Sequence, residues 1–258
     1  MKRIEFLENL KTELYKLLKS GERCYFDVDK APDETKFSDY MENYIKMKPD
    51  YKGDSWFSYD VEEFYIELNK SLPVKVRNIF TNNTFVDYIS NLNYSDFELA
   101  CIVLMKKFLG STIVSENKGS RDDGIDFYGK YNAIDESESN FFDIPAWYIG
   151  QAKYYEKNPI KTNLLRELIG TVELAKLRMW SIEGRYKDID IKHSDQVIPV
   201  FITSSRFSYD SQVIANKYMI KLLDDIDLIF WLTLKFEGDL DNFKNELADL
   251  KAHSVKSS

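Results

Sequence analysis

Histidine is almost missing from this chain. Only His193 and His253 occur among its 258 residues, and His253 sits in the polar ending KAHSVKSS. Chemistry built on histidine pairs, such as a zinc hydrolase or a histidine–metal nuclease, is therefore nearly excluded. Cysteine is as scarce. Cys24 and Cys101 stand alone, without the paired spacing of a zinc site or a disulfide framework. Cys101, inside LACIVLMKKF, reads as a small buried apolar residue, and the compartment reads as reducing. No Gly-rich phosphate loop and no dinucleotide fingerprint is present. Long apolar runs are lacking too: MKRIEFLENLKTEL is a charged amphipathic helix without a signal core, and LIFWLTL is too short to span a bilayer. The expected location is the cytoplasm. Positive charge is not in excess, since the formal net charge is −8. That argues against a sequence-blind nucleic-acid coat but leaves room for a local positive cleft in an acidic shell. Any catalysis must then use carboxylates, amides and lysine.

What is present suggests a large core and two kinds of segment. Residues 3–19 place Ile4, Leu7, Leu10, Leu14, Leu17 and Leu18 at helical spacing. GERCYFDVDKAPDETKFSDY is irregular and acidic, DVEEFYIELNKSL reads as a second helix stopped by Pro73, and the middle of VKVRNIFTNNTFVDYISNL reads as helical. From Tyr94 the pattern changes. SDFELACIVLMKKFLG is a helix with Ser95 or Asp96 as N-cap and Gly110 as its stop. Strands are expected over TIVSEN, IDFYGKY and AWYIGQAKYY, separated by the turn KGSRDDG and the acidic loop NAIDESESNFFDIP. A long helix over 160–181 follows, then the continuous apolar strand VIPVFITSS, of the kind buried on both faces. SYDSQVIANKYMIKLLDD reads as a helix and IDLIFWLTL as a last strand or buried segment. The order predicts an α/β sandwich, a mixed sheet with helices on both faces.

Within that frame four side chains have foreseeable relations. Gln151 and Lys153 are two apart on the strand YIGQAKYY, so they share a face. A lysine there needs a partner or a purpose, because desolvation disfavours its ammonium. Asp126 opens the preceding strand, a hairpin-like neighbour, and Glu98 lies in the first turn of the helix before the sheet. A carboxylate and an amide oxygen beside a lysine make an oxygen-rich site. Mg²⁺ suits it, because that ion takes one or two carboxylates and keeps waters for a phosphate. Lys153 would hold the attacking water and offset developing negative charge.

FELACIVLMKKFLG, DDGIDFYGK, YIGQAK and VIPVFITSSRFS resemble, in order, the blocks of the Mrr-like catalytic domain. That family is a branch of the PD-(D/E)xK restriction-endonuclease-like nucleases whose lysine motif carries glutamine in place of the usual acid, as Q-x-K. The resemblance spans roughly residues 94–232. It implies a restriction-endonuclease-like mixed central sheet flanked by helices over 94–250 and leaves the N-terminal region unassigned; by its own pattern residues 1–93 read as a mainly helical domain of unread purpose, and 251–258 as a polar tail. By the same resemblance Asp126 matches the metal-binding aspartate and Gln151 the position of the replaced acid. Lys153 matches the catalytic lysine, Glu98 the supporting helix glutamate, and the Ala152 carbonyl a further metal ligand. The implied activity is Mg²⁺-dependent hydrolysis of DNA phosphodiesters, with Mn²⁺ as a substitute, in restriction or anti-phage defence. Double-stranded DNA is the implied partner, no membrane is involved, and a homodimer is left open. The tract Tyr131–Asp143 looks longer and more acidic than a minimal member needs.

Each residue also has a plainer reading. Glu98 alone is an acid favoured near a helix N-terminus, Asp126 a turn residue after Gly124, and Gln151–Lys153 a solvated sheet edge. Asp122 and Asp123 read as solvated turn residues. Thr203, Ser204 and Ser205 either contact a phosphate or cap the next helix, with capping favoured. Trp147, Tyr154 and Tyr155 read as core and cleft wall rather than a base-stacking platform. DESESNFFD reads as a solvated loop whose charge would repel DNA if it crossed the cleft. Arg121, Lys153, Lys157, Lys161 and Arg166 are expected to cluster near it. The rival to an enzyme is a non-catalytic nucleic-acid or protein-binding module that keeps the fold.

Overall fold

The computed structural model describes residues 3–26, 38–39, 41–42, 44, 48, 55–109, 112–114, 124–131, 146–155, 158–179, 189–192 and 195–256. The elements fall into two groups. The first comprises α1 (Arg3–Ser20), β1 (Cys24–Tyr25), β2 (Phe57–Asp60), β3 (Tyr65–Leu68), α2 (Val74–Ile79) and α3 (Phe85–Ser90). The second begins with α4 (Tyr94–Leu109), β4 (Thr112–Val114), β5 (Phe127–Tyr131), β6 (Ala146–Lys153) and α5 (Thr162–Lys176). It ends with β7 (Val197–Thr203), α6 (Tyr209–Lys217), β8 (Lys221–Leu223), α7 (Asp225–Lys235) and α8 (Leu240–Lys256).

The main sheet has the order β4-β5-β6-β7-β8. Its first three strands are antiparallel, while β6, β7 and β8 run parallel. The fold is therefore mixed α/β. Burial alternates along β6: Trp147 and Ile149 join one hydrophobic cluster, and Ala146, Tyr148 and Ala152 join the other. The strand is thus covered on both faces, which explains its unbroken apolar run. Helix α5 seats Leu165, Leu168 and Val172 on the first face, each worth about 1.5–3 kcal/mol on burial. Helices α4 and α7 cover the second.

The second cluster does not divide at residue 93. It runs from Leu10, Leu14 and Trp56 through Phe97 and Cys101 to Phe230 and Leu247. The Trp56 ring stacks on Phe230 with centroids 4.2 Å apart.

Several expectations need correction. DVEEFYIELNKSL is a turn and a strand, not a helix. Asp60 Oδ1 accepts the N–H groups of Glu62 and Glu63, and Phe64 takes a left-handed φ of 51°. Then β3 alternates, with Ile66 and Leu68 inside and Glu67 paired to Arg23 at 3.0 Å. A small antiparallel sheet, β1-β3-β2, therefore stands among the N-terminal helices. Asn93, not Ser95 or Asp96, caps α4: its Oδ1 accepts from Asp96 N at 3.0 Å while its Nδ2 reaches the Asp96 carboxylate. IDLIFWLTL is helix α7. It is apolar all round because it is buried all round, so it carries no helical stripe to read. The last strand is the shorter KLL, which follows α6 after a left-handed Met219. Helix α8 continues through Lys256, so residues 251–256 of the polar ending are helical. The turn at 118–123 and the acidic loop over 132–145 lie outside the described residues.

Candidate active site

Strand β6 delivers the key stretch. In register with β7, Gln151 pairs with Phe201, Ala152 with Ile202 and Lys153 with Thr203. The alternation of core clusters puts Gln151 and Lys153 on the face of Trp147 and Ile149, the face covered by α5. Gln151 is only 5% exposed, and Lys153, at the strand's end, is half-buried. Among the described residues Lys153 makes no ion pair. The Gln151 side-chain oxygen Oε1 is buried and accepts no hydrogen bond. Such a group has lost its water without replacement, and it calls for a ligand or a reason.

Asp126 sits one residue before β5, just beyond the Phe127–Gly150 pair. Its N–H donates to Gly150 O at 2.9 Å. Its Oδ2 accepts the Ala152 N–H at 2.7 Å. The carboxylate is thereby fixed against the backbone between Gln151 and Lys153. Two glycines permit this approach. Gly124 turns at φ +71°, and a Cβ there would stand 3.3 Å from Gln151 Nε2. Gly150 leaves room for the Phe127 ring, which a Cβ would meet at 2.0 Å. In the sequence Gly124 read only as a turn before Asp126, and Gly150 carried no signal of its own.

Glu98 lies in the second turn of α4 rather than the first, because the helix starts earlier than expected, and is half-buried. One turn on, Cys101 is fully buried. Burial pushes its thiol well above the usual range, and the negative charges of Asp126 and Glu98 push it further. Asp126, Gln151 and Lys153 thus meet at one end of the sheet on adjacent strands, whereas Glu98 is carried by α4, the helix on the opposite face.

Among the described residues no group of three His, Cys, Asp or Glu side chains is arranged for a metal. The donors offered are one carboxylate at Asp126, the unpaired amide oxygen of Gln151, and the backbone of Ala152 between Gln151 and Lys153. That set fits a hard ion that keeps most of its waters, such as Mg²⁺, and not a softer ion needing nitrogen or sulfur.

The strand-end serines neither cap α6 nor stand free. Ser204 Oγ accepts the Tyr155 N–H at 2.7 Å and donates to Tyr155 O at 3.0 Å, while Ser205 Oγ donates to Asn158 O at 2.9 Å. They stitch the loop after β6 to the loop after β7. Ser208 is the α6 cap, accepting from Ser211 N. Tyr154 packs edge-on to Phe97 at 5.8 Å, and Trp147 Nε1 donates to Asp195 at 3.0 Å, so both serve as wall and core. Of the expected basic cluster, Arg121 and Lys157 lie outside the described residues, as do Asp122 and Asp123. Lys161 and Arg166 are exposed at the start of α5, the helix that leaves β6.

No family model and no curated protein matches the chain. Among solved structures it is similar to the MspJI restriction endonuclease in complex with a 27-mer oligonucleotide, at 18% identity and a TM-score of 0.37. The similarity covers 73% of this chain and 37% of that one, so the chain spans little more than a third of that protein's length. No described helix is long and apolar enough to cross a membrane.

Proposed function

We propose that the chain is a metal-dependent endonuclease of the Mrr-like PD-(D/E)xK type, acting on DNA phosphodiesters in restriction or anti-phage defence. The observation that carries this reading is the Asp126 carboxylate seated on the Ala152 N–H, between a buried unpaired amide oxygen and a half-buried lysine. The activity rests in residues 94–250. Asp126, Gln151 Oε1 and the Ala152 carbonyl would hold Mg²⁺, or Mn²⁺ in its place. When bound, such an ion would supply a more acidic water and offset negative charge on the phosphoryl group.

The chain's own groups do the rest. Hydrolysis forms a bond from the water oxygen to phosphorus while the bond to the leaving sugar oxygen breaks, and that oxygen is then protonated. Lys153 orients the water and offsets charge that develops on the non-bridging oxygens, at a position where low solvent exposure strengthens its effect. Glu98 supports the site through water from α4. Double-stranded DNA is the proposed substrate, and the exposed Lys161 and Arg166 at the start of α5 would meet its backbone against the overall charge of −8.

The test is cleavage of plasmids of differing methylation, with Mg²⁺ or with EDTA, by the wild type and by Lys153→Ala. A lysine used only in the transition state lowers turnover without weakening binding. We expect cleavage to fall at least about 100-fold in Lys153→Ala, with folding and DNA binding retained. A wild type that binds DNA but cleaves none with either Mg²⁺ or Mn²⁺ would leave the binding-module reading in its place.

A further inference from the structure

Three carboxylates crowd the start of α7. Asp224, Asp225 and Asp227 are 7%, 6% and 2% exposed, respectively. Acids at a helix N-terminus are favourable, but they usually sit in water. Here the N-terminal part of the chain covers them. Lys48, itself 8% exposed, places Nζ 2.6 Å from Asp224 Oδ2 and 3.0 Å from Asp227 Oδ2. From α1, Lys11 pairs with Asp225 at 2.5 Å and the Tyr15 hydroxyl donates to the same carboxylate. Tyr44 donates to Asp224 at 3.5 Å. Within α7 the Asp224 and Asp227 side chains each accept the other's backbone N–H.

The charges at this joint do not balance. Among the described residues three carboxylates face two ammonium groups, and the tyrosines contribute hydroxyls only. An excess buried charge costs several kcal/mol, far more than a proton taken up near neutrality. The geometry shows where that proton belongs. Asp227 Oδ1 is buried and accepts no hydrogen bond, which suits a neutral carboxyl and not an ionised one. The other oxygen, Oδ2, is already engaged by Lys48 and by the Asp224 N–H. The titration directions agree. Burial, and then the Asp224 charge, push Asp227 well above the ordinary carboxylate range against the pull of Lys48. Burial opposes ionisation of Asp224 as well, yet Lys48 and the bonds from Asp227 hold it below that range. Burial first, and then Asp224, raise Asp225 to about 6 despite Lys11.

We infer that this joint is a proton-loaded latch: Lys11, Tyr15, Tyr44 and Lys48 close on α7 with one proton held on Asp227, and the closure weakens when that proton leaves. The position gives the latch reach. Helix α7 follows β8, which is parallel to β7 and β6. The joint therefore lies at the end of the sheet where Lys153 emerges. The inference is independent of the nuclease reading.

The sign follows from linkage. A carboxyl whose folded pKa is raised contributes most stability below the ordinary carboxylate pKa, and loses it as pH rises through the raised value. For Asp225 that window closes near 6, and for Asp227 it extends higher. The experiment is thermal unfolding of the full chain between pH 5 and 8.5, for the wild type and Asp227→Asn. Asparagine keeps the acceptor for the Asp224 N–H and supplies a permanent N–H in place of the proton. The wild-type midpoint should fall, by about 4 °C per pH unit where one proton is at stake. Asp227→Asn should match the wild type at pH 5 and lose at least half of the fall. A flat or rising wild-type midpoint, or an undiminished slope in the variant, overturns the inference. If Asp227→Asn does not fold, difference titration of native and urea-unfolded wild type decides. Close to one extra proton on the native chain at pH 7 supports the latch, and none refutes it.

Discussion

Asp126 has two tasks that a pair of substitutions separates. Its Oδ2 accepts the Ala152 N–H at 2.7 Å, and its charge would anchor the metal. Asp126→Ala deletes both. It leaves a backbone N–H in a partly buried site without an acceptor, a loss of about 1–3 kcal/mol. For a chain of this size each kcal/mol moves the midpoint by about 2–4 °C, so the drop should be about 2–12 °C without metal. Asp126→Asn keeps an acceptor for Ala152 N and gives up only the charge-assisted part of the bond, so it should lose less than half as much. Both variants should lack Mg²⁺-dependent cleavage. Both should also lose the rise in midpoint that metal gives the wild type, about 2.7 kcal/mol at a hundredfold excess over Kd. Thermal unfolding with and without Mg²⁺, beside the cleavage assay, measures all of these. If alanine and asparagine destabilise equally in EDTA, the Asp126–Ala152 bond is not what fixes the carboxylate, and the account of the site fails.

Three further outcomes are expected. Gln151→Glu should lower stability in EDTA at neutral pH, because a charge would replace a buried unpaired oxygen, while enlarging the rise that Mg²⁺ produces; metal-dependent unfolding curves that match the wild type in both states would contradict this. Gly150→Ala drives a Cβ to 2.0 Å from the Phe127 ring in the centre of the sheet and should cost about 3 kcal/mol or more by denaturant unfolding, with part of the loss recovered when Phe127→Leu is added. Met219→Gly relieves a left-handed φ of 52° at the end of α6, where Ile220 N bonds back to Ala215 O, and should gain about 1 kcal/mol; a loss of stability would mean that the exposed methionine packs on something.

The site was more legible in the sequence than the fold around it. Strand parity is a local rule, so Gln151 and Lys153 could be placed on one face from their spacing alone. Their apolar neighbours showed that the strand was covered. The hairpin-like relation of IDFYGKY to YIGQAK then brought Asp126 near, and Asn93 rather than Ser95 or Asp96 merely moved Glu98 from the first turn of α4 to the second. The failures came where local pattern has no information. FYIELN has apolar residues compatible with either period, and the turn at Asp60–Phe64, with its side-chain acceptor and left-handed Phe64, settled it as a strand. IDLIFWLTL lost its helical stripe by being buried on every side.

The same reasoning explains why the latch could not be read at all. LLDDIDLIF looks like a turn with solvated acids, since a run of aspartates is normally exposed. Its actual state depends on Lys48 and Lys11, which are 176 and 214 positions away from their partners in the chain. The cost of burying those acids is met only if the N-terminal part of the chain is in place, so the joint is a condition of the fold as well as a consequence of it. The candidate site differs. Asp126 and Ala152 are 26 positions apart and belong to neighbouring strands, and their relation needs nothing from residues before 94. A chain cut before Tyr94 would keep the local geometry of the site in principle. It would also uncover Asp225, which Lys11 and Tyr15 meet, and Phe230, which stacks on Trp56 and Phe80 in the shared core. The chemistry is thus local while the stability is shared, and a proton at the α7 joint can reach the site only through that shared core.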